Sequence, residues 1–425
     1  MQKKKNLRLF YLSFFTLGFI IPIFDPLYPY FFETFNIGFD KIGLLFFAGS
    51  LTAIITMVTA GRLSDKISSR KMFLWSFVIS FAGFAVFSIF HNFIGLIVTV
   101  LIVNVGLNLF WPAVYARIFH DYSDNYSTML VKLERFYCLA TVLGPLVISL
   151  LLYLRLSPRF VFILLLLMFI FIFFKFYKGY QTGISGNVNR VGTSMQESEE
   201  ITITDQQKRP EGSKKFEPKK EKLFKKIYRF FTPTVIFVNL ALALFAGVNM
   251  GTSAWLTTYF TSFDIPVSFS SIFVAIYWFS AFIGLQILTK IMHKLKEEKI
   301  LFFGGIISLV SLIGFSFVNQ IYLKIIFIIF VGIAVSGIYP LCGSITIREN
   351  PKSAGTSSGF SIAMGLVGGL IVSPVMGFVA QYLSTSYVPY VLIILSLLGT
   401  IMSAILLRII FKKRIKSTLK GELII

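Results

Sequence analysis

Long apolar runs, separated by short polar stretches, form the main pattern of this chain. A helix of about 20 mostly apolar residues spans the hydrocarbon of a bilayer, which is about 30 Å thick. Six such runs precede a polar central stretch, and six follow it. The predicted spans are Leu7–Phe32, Lys41–Gly61, Met72–Phe90, Phe93–Ile118, Leu133–Leu154, Arg159–Lys178, Phe231–Thr261, Phe269–Thr289, Ile300–Val318, Ile321–Ile347, Gly355–Leu383 and Tyr387–Ile410. The pattern therefore predicts an all-α membrane protein with 12 transmembrane helices.

The polar central stretch, residues 179–229, is rich in Lys, Glu, Ser, Gln and Gly and poor in aromatic residues. Such a composition cannot bury enough apolar surface to fold by itself. We interpret it as a flexible cytoplasmic linker between two six-helix bundles. The predicted domains are residues 1–178, this linker, and residues 230–425 with a basic tail.

The charge distribution supports a membrane topology. Only 14% of the residues are charged. The formal net charge is +21, and in a soluble protein so large a positive charge would suggest a nucleic-acid partner. All but four of the 40 Lys and Arg residues fall on one side of the predicted spans, and the positive-inside rule makes that side cytoplasmic. Both termini are predicted on the cytoplasmic side. The basic N-terminal residues are expected to lead into a first membrane helix and not to form a cleaved signal peptide. No nucleic-acid partner is expected. We expect a multi-pass monomer of the plasma or inner membrane.

The two halves resemble one another at a nearly constant offset. The loop that begins at Gly61 aligns with the one at Thr289, and Trp111-Pro112 aligns with Tyr339-Pro340, each 228 residues later. Gly144-Pro145 aligns with Ser373-Pro374 at 229. A repeat of six helices keeps its orientation, so the pattern predicts a parallel repeat related by an axis along the membrane normal. Two acidic residues of the first copy, Asp25 and Asp65, correspond to Ser253 and His293 in the second.

The segment Gly61-Arg-Leu-Ser-Asp65-Lys66-Ile-Ser-Ser-Arg70-Lys71 resembles the signature between helices 2 and 3 of the major facilitator superfamily. The resemblance implies an alternating-access transporter in which a charge cluster holds a cytoplasmic gate shut. The gate residues that it implies are Gly61, Asp65, Arg70, Arg117 and Glu134. The alternative is that the basic residues of this loop only set the topology.

A second motif concerns helix packing. Gly144-Pro145 resembles a reduced form of the Gly-Pro motif in helix 5 of drug and proton antiporters of that superfamily. Its counterpart in the second half is Ser373-Pro374, in a span rich in Gly and Ser. Small residues let helices approach closely and slide. We therefore expect Gly144, Pro145, Ser373 and Pro374 to serve helix packing and gating.

Asp25 is the acidic residue that lies well inside an apolar segment, and Pro22, Pro26 and Pro29 surround it. Ionisable residues within a span are costly and are functional candidates by default. Because burial favours the protonated form of a carboxyl group, Asp25 is the candidate for proton coupling. The alternative is an Asp that caps a helix kinked by the prolines, in a wet outer vestibule.

Polar and aromatic residues along the fourth span predict a cavity. Asn104, Asn108, Trp111 and Tyr115 share one helix face, where amides facing lipid would lack hydrogen-bond partners. Further cavity candidates in the second half are Asn249, Tyr277 and Tyr339. Interhelical packing is the alternative, and for Asn239 it is the preferred interpretation.

These features favour a secondary active transporter for a small organic solute. The leading hypothesis is proton-coupled efflux of a largely apolar compound. One alternative is a symporter or facilitator for a polar solute such as a sugar, and another is a transport-inactive sensor or scaffold on the same fold. No catalytic motif, metal-ligand cluster or phosphate-binding glycine loop is found, so we expect no enzyme, cofactor or ATP-driven pump. The expected partners are the solute, a proton or another coupling ion, and the bilayer.

Overall fold

The computed structural model of the chain describes residues 2–64, 67, 69–90, 92–121, 126–156, 159–181, 230–350 and 354–419, and within them it contains helices and no strands. The first half comprises α1 (Gln2–Ile20), α2 (Tyr28–Phe35), α3 (Phe39–Ser64), α4 (Ser69–Ile89), α5 (Phe93–Asp121), α6 (Tyr126–Tyr153) and α7 (Arg159–Gln181). The second half comprises α8 (Pro233–Thr261), α9 (Val267–Ile291), α10 (Glu297–Phe317), α11 (Ile321–Val335), α12 (Ile338–Glu349), α13 (Ala354–Tyr382) and α14 (Val388–Leu419).

Among the described residues, 11 segments are long and apolar enough to cross a membrane. The helix α7 takes the place of the predicted sixth span, with a shorter apolar stretch at Ile163–Lys175. The prediction of an all-helical membrane protein is thereby confirmed. Residues 182–229, which hold most of the predicted linker, lie outside the part of the chain that the structure describes.

One span in each half is broken, at different places. In the first half, two 3₁₀ turns, Ile21–Ile23 and Asp25–Leu27, separate α1 from α2, with Pro22, Pro26 and Pro29 in the first positions of successive elements. Proline lacks an N–H and disrupts a helix interior, but it fits the first turn. The predicted kink around Asp25 is therefore confirmed.

The second break separates α11 from α12. The helix α11 ends at Val335 and α12 begins at Ile338, with Gly337 at its N-cap and Pro340 in its first turn. The corresponding helix of the first half, α5, runs unbroken through the equivalent positions. The two halves therefore differ in which span carries irregular backbone.

The positions of the helices confirm the parallel repeat. Four helices of the first half start 228 residues before their counterparts in the second half. The paired starts are Phe39 and Val267, Ser69 and Glu297, Phe93 and Ile321, and Tyr126 and Ala354. The helices α4 and α10 even have the same length, 21 residues. The offset in the sequence thus reflects a duplicated arrangement of helices.

The two most extensive contacts between the halves are those of α3 with α13 and of α6 with α9. Under the repeat, α3 corresponds to α9 and α13 corresponds to α6, so the two contacts are copies of each other. A two-fold axis between the halves produces this arrangement. The first contact is close, because a Cβ on Gly43 would lie 2.8 Å from the carbonyl oxygen of Ser373 and 3.1 Å from Pro374. Within the first half, a Cβ on Gly144 would lie 2.8 Å from the carbonyl oxygen of Phe19.

Lys324 lies near the start of its predicted span, Ile321–Ile347, and is buried there. It is in the first turn of α11 and is 2% exposed. Its ammonium group donates to the Tyr259 hydroxyl at 2.9 Å and to the carbonyl oxygen of Phe315 at 2.8 Å. The ring of Phe315 also lies 4.8 Å from the ammonium nitrogen. These contacts compensate the burial of the charge, because the carbonyl is at the end of α10, where a cation is favoured.

The glycines of α13 allow a test of close packing. A Cβ on Gly368 would overlap the carbonyl oxygen of Ala243 in α8, whereas a Cβ on Gly359 of the same helix would meet nothing within 4 Å. We predict that Gly368→Ala lowers the free energy of unfolding by about 1–3 kcal/mol, since overpacking displaces backbone. The matched control Gly359→Ala should be neutral or stabilising by up to about 1 kcal/mol, because Ala favours helix. Thermal unfolding of the purified protein in detergent measures both, and equal stabilities would contradict the prediction.

Candidate functional site

A hydrogen bond links the two halves of the molecule. The hydroxyl of Ser253, in α8, donates to one carboxylate oxygen of Asp25, in the break after α1. The Tyr28 hydroxyl donates to the other oxygen at 3.0 Å. Asp25 is half-buried, and Ser253 and Tyr28 are buried. The broken span thus places a carboxylate where a helix of the other half can reach it.

Asp25 and Ser253 are also equivalent positions of the repeat, since they lie 228 residues apart. Two positions that a two-fold axis interchanges can touch each other only beside that axis. The contact therefore places this pair at the axis that relates the halves, where a parallel-repeat protein has its central site. Ser253 is the residue that stands where the first copy has its acid.

Trp278 extends the hydrogen bonds into α9. Its indole N–H donates to the Ser253 hydroxyl oxygen at 2.9 Å. Because an indole is a donor only, the serine accepts from Trp278 and points its own proton at Asp25. The chain of donors therefore runs from the second half to the first and ends on a carboxyl oxygen of Asp25, and this last bond is strongest when Asp25 is ionised.

Two of the predicted cavity residues lie beside this chain. The Tyr277 hydroxyl donates to the side-chain oxygen of Asn249 at 2.5 Å, and the rings of Tyr277 and Trp278 have centroids 5.7 Å apart. Tyr277 is fully buried. The structure therefore joins Tyr277 to Asn249, and the role of this pair in a cavity stays a prediction.

The side-chain amides of Asn104 and Asn108, in α5, form hydrogen bonds within their own helix. The side chains of Asn104 and Asn108 donate to carbonyl oxygens one turn earlier in their own helix, both at 2.9 Å. The Asn104 amide also lies against Gly49 of α3. These contacts satisfy the amides within the first half. Asn239, for which packing was preferred, bonds to Thr346 of α12 at 3.0 Å.

Trp111 joins a second group of residues on the inner side of α6. Its ring meets those of Phe14 and Tyr137 edge-on, with centroids 5.3 Å and 6.0 Å away. The ring of Tyr339, in α12, lies against Gly365 of α13. Trp111 therefore packs against α1 and α6, and Tyr339 packs against α13. The side chain of Tyr115 is outside the described part of the chain.

Most of the predicted gate also falls outside the described part of the chain. Gly61 lies in the last turn of α3 and Arg70 in the first turn of α4, but Asp65 and the side chains of Arg70 and Arg117 are not described. Glu134 is described, and it lies half-buried in α6, one turn before Tyr137. The gate stays a prediction.

The sequence analysis named Ser253 as the counterpart of Asp25 but not as its hydrogen-bond partner, and Trp278 and Tyr28 were not among its candidates. The repeat offset was the available signal, because it assigns Ser253 to the position of Asp25. Only the tertiary contacts identify the other two residues, because Trp278 bonds to Ser253 and Tyr28 bonds to Asp25.

The family model described as Major Facilitator Superfamily matches residues 10–361. A relative in Bacillus subtilis (strain 168), the glucose/mannose transporter GlcP, is 22% identical over 367 residues, which are 86% of each chain. Two crystal structures of FucP share the fold. One, in the outward conformation, has a TM-score of 0.64 at 16% identity over 96% of this chain and 99% of that chain. The other, the E. coli fucose:proton symporter, has a TM-score of 0.63 at 15% identity over the same shares.

The Ser253 hydroxyl gives a prediction about the bond across the axis. We expect Ser253→Ala to lower the free energy of unfolding by about 1–3 kcal/mol, because it leaves the indole N–H of Trp278 buried without its acceptor and removes a donor from Asp25. The loss should shrink at acid pH, where a neutral Asp25 is a weaker acceptor. Thermal unfolding at several pH values measures it. Thr261→Val is the control, since its hydroxyl bonds to a carbonyl of its own helix; a similar loss in both variants would contradict the prediction.

Proposed function

The chain belongs to the Major Facilitator Superfamily, and on this basis we propose that it is a secondary active transporter that carries a small polar solute, such as a sugar, with protons. It is a multi-pass membrane protein with the fold of a transporter, not an enzyme. The polar hydrogen-bonded cluster at the axis is the observation that carries the proposal.

The chemistry of this cluster suits a solute with hydroxyl groups. Asp25 offers a carboxylate, Asn249 an amide, and Ser253 and Tyr28 hydroxyls, beside the rings of Tyr277 and Trp278. A few placed polar groups in an aromatic lining give orientation and specificity to a small ligand. The hydroxyls of a sugar can bond to the polar groups, and the apolar face of its ring can pack on an indole.

The names of the relatives favour the same class of solute. One is a glucose/mannose transporter and another is a fucose:proton symporter. Together with the polar cluster, they support the polar-solute alternative more than the efflux of an apolar compound, which was the leading hypothesis from the sequence.

The direction of the donors suggests how proton and solute load together. In its anionic form, Asp25 accepts hydrogen bonds from both Ser253 and Tyr28. A proton on Asp25 weakens these charge-assisted bonds and frees two hydroxyls for a solute. The same event loosens a contact between the halves, as alternating access requires. Because proton binding prepares the site for the solute, we propose symport.

The proposal predicts that Asp25→Asn separates exchange from accumulation. An amide mimics the neutral carboxyl but cannot release a proton, so counterflow of solute should persist while proton-driven accumulation falls about 100-fold, as for loss of a positioned proton-transfer group. Proteoliposomes with labelled glucose, mannose and fucose measure both. Asp264→Asn is the matched control, because Asp264 is exposed and its φ of 59° suits Asn.

Three results would contradict the proposal. Accumulation by Asp25→Asn at the normal level would exclude its role in coupling. Movement of an apolar dye against a proton gradient, without sugar counterflow, would support efflux. The absence of any solute exchange by the unmodified protein would favour the transport-inactive sensor or scaffold.

A further inference from the structure

The halves meet at the face of the bundle opposite the linker, which we call the far face. The helices α3 and α9 begin at the far face, and α6 and α13 end there, because spans alternate in direction along the chain. In the contacts of α3 with α13 and of α6 with α9, the end of one helix reaches the first turn of a helix of the other half. These two places therefore hold the halves together at the far face.

The first contact is made by Gln381, in the last turn of α13. Its side-chain oxygen accepts a hydrogen bond from the backbone N–H of Phe39, the first residue of α3, at 2.8 Å. The first N–H groups of a helix have no partner within that helix, so a side chain of the second half caps a helix of the first. Gly377, one turn earlier, allows this approach, because a Cβ there would lie 2.7 Å from the carbonyl oxygen of Phe39.

The second contact has the same place in the repeat but different chemistry. The hydroxyl of Ser149, near the end of α6, donates to the backbone carbonyl of Ser268, in the first turn of α9, at 2.5 Å. One turn further along α6, the ring of Tyr153 meets that of Phe269 edge-on, with centroids 6.2 Å apart. A side-chain donor on a carbonyl thus replaces the side-chain acceptor on an N–H that the first contact uses.

A group of aromatic rings lies between the Asp25 carboxyl group and the far face. Phe32 follows Tyr28, which bonds to Asp25, by one turn of α2 toward that face. The ring of Phe32 stacks on that of Phe39 with centroids 4.3 Å apart, and Phe39 meets Trp255 of α8 edge-on at 5.9 Å. Trp255 belongs to the second half and is 2% exposed. The stacked rings therefore separate the carboxyl group from the far face as long as α3 stays against the second half.

Both hydrogen bonds can break and form again in each transport cycle. Gln381 is exposed, and Phe39 and Ser268 are half-buried, so water can bind their backbone groups when the halves part. A hydrogen bond that is exchanged for water contributes little net free energy, whereas a group left buried without a partner is costly. The close backbone packing supplies the fit of the helices, and the two hydrogen bonds add a small bias toward the closed arrangement.

Building on the proposed transport function, we propose that Gln381 and Ser149 are positioning residues of the transport cycle, which hold the far face closed over the cluster around Asp25. Opening of this face breaks both hydrogen bonds and separates Phe39 from Trp255. Water then binds the freed N–H and carbonyl groups. Each of the two residues acts through the backbone of the other half and touches neither the solute nor the proton.

The distance between the halves at the far face tests this proposal. Glu33 of α2 and Ser386, in the turn before α14, are exposed there, so spin labels attached in Glu33→Cys and Ser386→Cys report the separation in the purified protein. We expect Gln381→Leu and Ser149→Ala each to lower the ratio of closed to open molecules about 5-fold, as for the loss of one hydrogen bond. Since the two contacts are separate, the double variant should lower it about 25-fold.

Two variants serve as controls. Gln320→Leu makes the same exchange at another exposed glutamine of the far face, at the N-cap of α11, and should leave the ratio unchanged. Ser149→Thr keeps the hydroxyl and should restore the closed fraction. The native Cys138 and Cys342 are buried, so they should take up no label. Counterflow of labelled glucose, mannose and fucose should persist in every variant, because the cluster around Asp25 is intact.

The outcomes separate this inference from the proposed function. An unchanged distance distribution in the double variant would overturn the inference, and so would an equal shift in Gln320→Leu. A lower melting temperature of the double variant, with the distribution unchanged, would indicate a purely structural role and would also overturn it. If the unmodified protein exchanges none of the three sugars, the proposed function fails, while the distance measurement needs no solute and still decides the inference.

Discussion

The absence of water from hydrocarbon is the constraint on which this structure depends. Every backbone N–H and C=O within the membrane needs a partner from the protein itself, so the chain crosses as helices. Irregular backbone is tolerated only where protein or a cavity surrounds it. The two breaks follow this rule, because Asp25 bonds to Ser253 of α8 and Gly337 lies against Leu288 of α9. At the first break, the interruption of the helix also brings a carboxyl group to the other half.

The two halves have the same arrangement of helices, but they carry different residues at equivalent positions beside the two-fold axis. A perfect repeat would place identical residues beside the axis, and two acids there would repel each other. Here one copy has Asp25 and the other has Ser253, so the pair forms a directed hydrogen bond in place of a repulsion. The first half provides the acid Asp25 and the Tyr28 hydroxyl, while the second provides the neutral donors of Ser253 and Trp278. The halves are related in shape but divide the chemistry between them.

Ion pairs hold the ends of the second half together, on the face where its chain begins. Glu297 of α10 pairs with Arg348 of α12 at 2.6 Å, and Glu349 pairs with Lys413 of α14 at 2.8 Å. Lys413 also donates to Thr234 at the start of α8. Partly exposed pairs contribute little to stability one at a time, but these link four helices of one bundle. They favour a second half that moves as a unit, with the deformable contact lying between the halves.

The sequence by itself determined the helices, their number and the repeat, because these follow from local properties: apolar length, proline positions and a constant offset of 228. It also pointed to Asp25, Asn249, Tyr277 and Tyr339, since polar groups in apolar spans are conspicuous. Only the tertiary structure decided which partners they have. Ser253 and Trp278 look like ordinary buried residues in their own helices, and they gain a role because two distant helices meet beside the axis. Such contacts depend on the packing of whole bundles, and the one-dimensional pattern records which face a residue occupies but not which residue it meets.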